Sequence, residues 1–436
     1  MTLKSHTYLY YSQLLVVASL PFHFLISSYV IGLLLLLFII NIFKSSSFRK
    51  EIFASLKSNK IAHLLVLFFI AYVVSTLIHI SDYSAEMPPL EKKLSFLVFP
   101  FLFANISTYK YQQIQTFLKV FIGSILLSTI IALSVGVYYT LSSGTLYYFD
   151  EGNGVVFNNF MYHRLGSYVG MHAVYFAEYV LVAFILWISY AFYHFKLWSL
   201  KHRLLSIGLG FYFIGVIFLL KSASILIILV VIISLFTIYH LFKAREKVSG
   251  KLKWVIFIAG VVVVSLLTYR AVDKIGSKAN FFTYDLSQPG GGEWNAINLR
   301  LAKWHVAKMT IKDHWFLGVG PGNTVSTLDK YYEKVGFDYA LQLHYNPHNQ
   351  FLHTFLTLGI FGVALLSLIF LLAIFKSIKK KDSVMFLFLI SFLLFSMSES
   401  TLAVNKGIVF FAVFLSLLSY LPQKTSYYLN EQSNKE

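Results

Sequence analysis

Long apolar runs separated by short polar loops dominate the chain. At about 1.5 Å per helical residue, runs long enough to cross roughly 30 Å of hydrocarbon fall near 8–26, 28–43, 61–80, 90–106, 115–141 and 170–194. Six more lie near 204–220, 223–242, 253–270, 351–375, 383–398 and 402–421. The pattern predicts an all-α polytopic membrane protein of about 12 transmembrane helices, a single transmembrane domain over 1–436 with one large, partly helical loop at 271–350. Pro100 breaks the fourth run, and Pro21 lies within the first; both are tolerable inside membrane helices.

Cations sort these spans by side. Alternation puts Lys44, Arg49, Lys50, Lys57 and Lys60 on one side, together with Lys196, Lys201 and Arg203, and with Lys243, Arg245, Lys247, Lys251 and Lys253. Lys376, Lys379, Lys380 and Lys381 join them. The positive-inside rule then predicts both termini in the cytoplasm and the 271–350 loop outside, since long loops translocate largely regardless of charge. A second outside loop near 142–169 carries Asp150, Glu151, His163 and Arg164. Lys4 alone precedes the first apolar run and no small-residue cleavage pattern follows, which predicts a retained first helix.

Composition agrees with that class. Hydrophobic residues make up 57% and charged residues 13% of the 436 positions, and the mean hydropathy is +0.69. The net charge of +17 would point to nucleic acid in a soluble domain, but here it sits in the loops as a topology signal. Cysteine is absent, which excludes thiol catalysis, disulfides and Cys-based metal sites.

The polar island from Trp294 to Gly362 holds the chemistry. Ile297, Leu301, Trp304 and Ile311 gather on one side of a helical wheel, with Arg300 beside that stripe and Lys303 and Lys308 nearby. The G-V-G-P-G-N turn of Gly318 to Asn323 follows, its glycines allowing positive φ and close backbone approach; without a Lys-Ser/Thr pair it is no Walker loop. Last come His344, His348 and His353 at the mouth of an apolar run. Their spacings of four and five, interrupted by Pro347, do not suit a zinc site, and no Asp-x-Asp triplet offers a carboxylate pair. Neither a metal nor any other cofactor is expected. A neutral histidine near pH 7 can take a proton from a hydroxyl, and guanidinium groups bind phosphate oxygens bidentately. Arginine outside and histidine at the membrane edge point to a lipid-phosphate substrate.

At these residues the chain resembles the O-antigen ligase and polymerase superfamily of membrane glycosyltransferases. R-L-A-K-W leads through D-H-W-F-L-G-V-G-P-G-N to H-N-Q-F-L and then L-G-I-F-G, and R-L-G-S-Y-V-G-M-H at Arg164 to His172 is similar to the family's arginine-bearing segment. Where the family often has Ser-Arg after a helix, this chain reads L-L-K-S-A-S: Ser222 matches, Ala223 replaces the arginine, and Lys221 stands beside it. The resemblance implies metal-independent transfer of a glycan from undecaprenyl diphosphate to a sugar hydroxyl, on the periplasmic face of a bacterial inner membrane. His348 would be the catalytic base; Arg164, Arg300 and Lys221 would bind the diphosphate; His172 and Asn349 would support them, and Glu399, an ionisable group near a membrane boundary where charge is costly, is a further supporting candidate. An acceptor built on lipid A-core would make the protein an O-antigen ligase, and a second lipid-linked repeat would make it a polymerase. A secondary transporter with Lys221 and Glu399 as midplane charges is the alternative of another class, although the outer loop has no counterpart in the first half, as inverted repeats would require.

Overall fold

A computed structural model describes residues 2–80, 83–150, 155–243 and 296–421. The expected span at 253–270 and the loop segment 271–295 lie outside the described residues. In chain order the helices are α1 (Thr2–Ser19), α2 (Phe24–Lys44), α3 (Ser46–Ser58), α4 (Lys60–His79), α5 (Tyr83–Lys93), α6 (Ser95–Leu102), α7 (Tyr111–Ser143), α8 (Tyr162–Ser167), α9 (Ala173–His194), α10 (Leu200–Leu219) and α11 (Ala223–Lys243). After the undescribed stretch come α12 (Ala296–Asp313), α13 (Thr324–Lys334), α14 (Asp338–Gln342), α15 (Gln350–Lys380), α16 (Ser383–Ser398) and α17 (Asn405–Tyr420). Among the described residues six helices are long and apolar enough to cross a membrane: α2, α4, α7, α9, α10 and α15. Shorter apolar stretches fall in α11, α16 and α17.

Burial ranks these helices. The apolar window of α9 is 83% buried, whereas that of α2 is 22% buried, and α17 is buried almost throughout. Rings fill the space around α9 and α17: Tyr179 stacks on Phe410 at 4.0 Å, and Phe392 on Phe411 at 4.6 Å, separations at which aromatic pairs add attraction beyond buried area. On α2, Leu25, Ile26, Tyr29, Leu33, Leu36 and Phe43 are exposed. An apolar surface of that extent belongs against lipid.

Two expectations need correcting. The run at 90–106 is not one span: α5 ends at Lys93, α6 is eight residues long with Pro100 inside it, and a 3-10 turn covers Ala104–Thr108. Proline removes a helical N–H and crowds the preceding turn, and buried Gln13 donates to the Leu102 carbonyl at 2.6 Å where α6 stops, meeting one of the acceptors that a helix end leaves open. Pro21 sits in the turn between α1 and α2, not inside a helix. The all-α class holds, with one short hairpin in which Tyr147–Asp150 (β1) and Val155–Asn158 (β2) pair antiparallel with Tyr147 opposite Asn158. Aromatic and β-branched residues favour that pairing.

Over one end of the bundle, α12, α13 and α14 form a cap with its own core of Ala302, Val306, Ala307, Leu328, Tyr332, Phe337 and Ala340, closed by Leu356 of α15. The buried face of α12 is displaced from the expected stripe: Ala302, Lys303, Val306, Ala307 and Thr310 are buried with Ile311, whereas Leu301 and Trp304 are only partly buried and Lys308 is exposed. Small side chains let α12 approach its neighbours closely, so packing follows size as well as hydropathy.

The glycine turn fastens this cap to the bundle. α15 is broken at Gly359 (φ 66, ψ −161), and there Val319 N–H donates to Leu356 O at 2.9 Å, Gly320 N–H to Thr357 O at 3.1 Å and Ile360 N–H to Trp315 O at 2.9 Å. Non-helical backbone at membrane depth is tolerable when protein groups satisfy it, as they do here. A Cβ at Gly359 would lie 2.0 Å from Phe316 O, and one at Gly318 would lie 2.6 Å from Gly359 N.

Candidate active site

The N-P-H-N-Q segment docks against Met397–Leu402, the end of α16 and the turn that follows it. Asn349 caps α15 by accepting from Phe351 N–H at 3.0 Å and Leu352 N–H at 3.1 Å, and its Nδ2 donates to Met397 O at 3.1 Å. Buried Gln350 accepts from Leu402 N–H at 2.6 Å. Asn346 Oδ1 accepts from both His348 N–H and Ser400 Oγ, each at 2.9 Å. These contacts hold His348 at φ 47, a left-handed conformation uncommon outside glycine that persists where the surroundings over-determine it.

So held, His348 Nδ1 lies 2.8 Å from Glu399 Oε2, and Arg300 Nη2 donates to Glu399 Oε1 at 3.0 Å while Arg300 Nε donates to Ser398 O at 3.2 Å. The carboxylate side chain is 11% exposed, against 26% for His348 and 27% for Arg300. Burial alone would raise the Glu399 carboxyl, but the hydrogen bond to His348 and the Arg300 guanidinium outweigh it and hold the group below its ordinary range. Glu399 is thus a charged acceptor that binds a histidine with one oxygen and an arginine with the other.

Other groups surround this triad. Lys303, 2% exposed, places Nζ over the Tyr345 ring at 4.3 Å, and that ring meets His348 edge-on at 5.7 Å. Burial and the neighbouring Arg300 pull the Lys303 ammonium down to about 7, against the pull of Glu399. His172, at the start of α9, is lowered chiefly by burial, with Glu399 opposing and His348 adding; its ring lies 4.2 Å from that of His163. The Tyr162 hydroxyl is raised by burial and by Glu399, with Arg300 opposing.

The structure therefore brings together His348, Glu399, Arg300 and Asn349, with His172 in electrostatic reach. Arg164 sits in an aromatic cage, its guanidinium 4.0 Å from the Tyr148 ring centre, 4.9 Å from Tyr139 and 5.1 Å from Tyr168, with Nε buried and without a hydrogen-bond partner among the described residues. Lys221 is exposed at φ 47 in the turn between α10 and α11, and among the described residues no hydrogen bond or ion pair joins it to the cluster. The three histidines of the loop diverge: His344 Nδ1 pairs with Asp329 at 2.6 Å, His348 with Glu399, and His353 Nδ1 is buried inside the bundle. Among the described residues no group of three His, Asp or Glu side chains is arranged to hold a metal ion. Sequence reasoning gave Lys303, Tyr162, Asn346 and Ser400 no role; the last two had no signal beyond being polar at the ends of apolar runs.

A bundle of apolar helices, one of them broken, and a helical cap that seats an Arg–Glu–His cluster at its edge define a polytopic membrane protein with a polar site at one end. Residues 207–367, from α10 through the first half of α15, match the family described as O-antigen ligase. That match supports the O-antigen ligase superfamily of membrane glycosyltransferases, of ligase or polymerase type. No curated protein matches the chain.

Proposed function

We propose that the protein transfers a glycan from undecaprenyl diphosphate to a sugar hydroxyl, as an O-antigen ligase acting on lipid A-core. The observation that carries this reading is the 2.8 Å pairing of His348 Nδ1 with Glu399. A carboxylate on one ring nitrogen fixes the tautomer that leaves Nε2 as proton acceptor, and it stabilises the imidazolium that forms. Nε2 would take the acceptor hydroxyl proton as that oxygen bonds to the anomeric carbon, and the bond from that carbon to the diphosphate oxygen would break with its electron pair leaving on the diphosphate. Arg300 and Arg164 would stabilise this charge, an electrostatic contribution often dominant in transfer reactions.

The ends of the bundle support the orientation expected from the loops. Lys376 Nζ donates to Ser419 O at 2.8 Å and Lys380 Nζ to Leu421 O at 2.6 Å, which gathers the C-terminal ends of α15 and α17 with the start of α4 at one cationic end. His348 and Glu399 lie at the opposite ends of α15 and α16. That arrangement favours a cytoplasmic basic end and a periplasmic site in the inner membrane.

In vitro transfer by purified His348→Ala, with donor binding measured separately, tests the reading. General-base loss costs about 10²–10⁴-fold, so turnover should disappear while donor binding persists, and His344→Ala and His353→Ala should do much less. Near wild-type transfer by His348→Ala, or loss of donor binding as complete as the loss of turnover, would remove the base role. Deletion followed by gel analysis of surface glycan separates the two acceptors: loss of all capped lipid A-core means ligation, and a single-repeat band means polymerisation.

A further inference from the structure

Between α2, α6 and α17 lies a cavity of about 430 Å³, within the roughly 300–1,000 Å³ of ligand sites. Its walls are apolar, with Ile31 and Leu35 of α2, Val98 of α6 and Val409 of α17. Its rim is polar, with Glu91, Lys92, Ser27, Ser28, Asn405 and Lys406. From Phe24 to Leu35 the α2 wall runs eleven residues, about 16 Å at 1.5 Å per residue. That depth is about half of a 30 Å hydrocarbon layer, the reach of one leaflet. Gly32 opens the wall further, since a Cβ there would meet nothing within 4 Å.

Charge decides what head group the rim favours. Lys406 Nζ is held by the carbonyls of Leu20, at 2.9 Å, and Phe22, Glu91 offsets one cation, and exposed Lys92 leaves the rim net positive. The rim is also tied to the cluster. Lys93, next to Lys92, donates from Nζ to Leu402 O, and Leu402 N–H donates to Gln350, two residues from His348. Leu402 lies three residues after Glu399 in the turn that leads to Asn405.

We propose that this groove holds one acyl chain of an anionic phospholipid from the leaflet level with the site, with the lipid phosphate at Lys92, whatever chemistry His348 performs. The test uses the full chain in nanodiscs containing phosphatidylglycerol with a photoactivatable group in its acyl chain, and phosphatidylcholine with the same chain for comparison, with cross-links mapped by mass spectrometry. Expected are cross-links to Ile31, Leu35 and Val98 from phosphatidylglycerol, reduced about fivefold in Lys92→Gln, as loss of one membrane-facing lysine implies, and abolished in Gly32→Trp. Gly32→Leu, a smaller filling of the same open wall, keeps the groove test valid if the tryptophan variant does not elute as a single species. Equal labelling by both lipids with no effect of Lys92→Gln overturns the proposal, as does labelling confined to other helices. Displacement by undecaprenyl phosphate but not by unlabelled phosphatidylglycerol would assign the groove to a polyprenyl chain and also overturn it.

Discussion

Glu399 meets His348 through Nδ1 at 2.8 Å although 51 residues separate them, and its second oxygen is taken by Arg300. If the carboxylate serves to fix the tautomer of His348, Glu399→Gln keeps the shape but removes the charge and allows the ring to reverse. Transfer should then fall on the order of 10²-fold or more, with donor affinity little changed. Single-turnover transfer with separately measured donor binding decides it, and wild-type turnover in Glu399→Gln would show that the pair is only structural.

Arg300 holds Glu399 and the Ser398 carbonyl with two different nitrogens of one planar fork. A lysine ammonium is a point charge without that geometry. Arg300→Lys should therefore impair transfer nearly as much as Arg300→Ala, and retention of most activity by the lysine variant would reduce the role of Arg300 to charge alone.

Gly359 and Gly123 make a paired prediction about stability. At Gly359 a Cβ would lie 2.0 Å from Phe316 O on a backbone of φ 66, so Gly359→Ala should destabilise by about 1–3 kcal/mol from strain alone and more from the clash. At Gly123, inside α7, a Cβ meets nothing within 4 Å, so Gly123→Ala should stabilise by roughly 0.5–1 kcal/mol. Thermal unfolding in one detergent checks both, and equal melting temperatures for the two variants would contradict the packing described for the α15 break.

His163 sets a pH dependence. Burial, and then the neighbouring His172, lower it from the ordinary 6.5 to about 4, so between those values the unfolded chain binds the proton more readily than the folded one. Its contribution to stability is full above pH 6.5 and is lost as pH falls toward 4. Glu399 is depressed below the ordinary 4.5, so its contribution is lost only at more acid pH. Melting temperature should fall from pH 7 to pH 5, and His163→Asn should flatten that fall; an unchanged slope would exclude His163 as its source.

The sequence by itself determined the membrane class, most of the long helices, the polar island and the candidate base His348. These follow from quantities that run along the chain: a span needs a minimum apolar length, and a histidine beside proline at the boundary of an apolar run stands out. Tertiary structure alone decided the partners. Arg300 and Glu399 are 99 residues apart and His348 and Glu399 are 51 apart, distances at which no helical period carries information, so the choice of Glu399 over any other acid depends on how α12 and α16 meet. The buried face of α12 was misjudged because Ala302, Ala307 and Thr310 are buried by close approach, which a hydropathy stripe does not weigh. The break at Gly359 was equally unreadable: a glycine within an apolar run is compatible with unbroken helix until the Trp315–Gly320 backbone arrives to take the hydrogen bonds that the break releases.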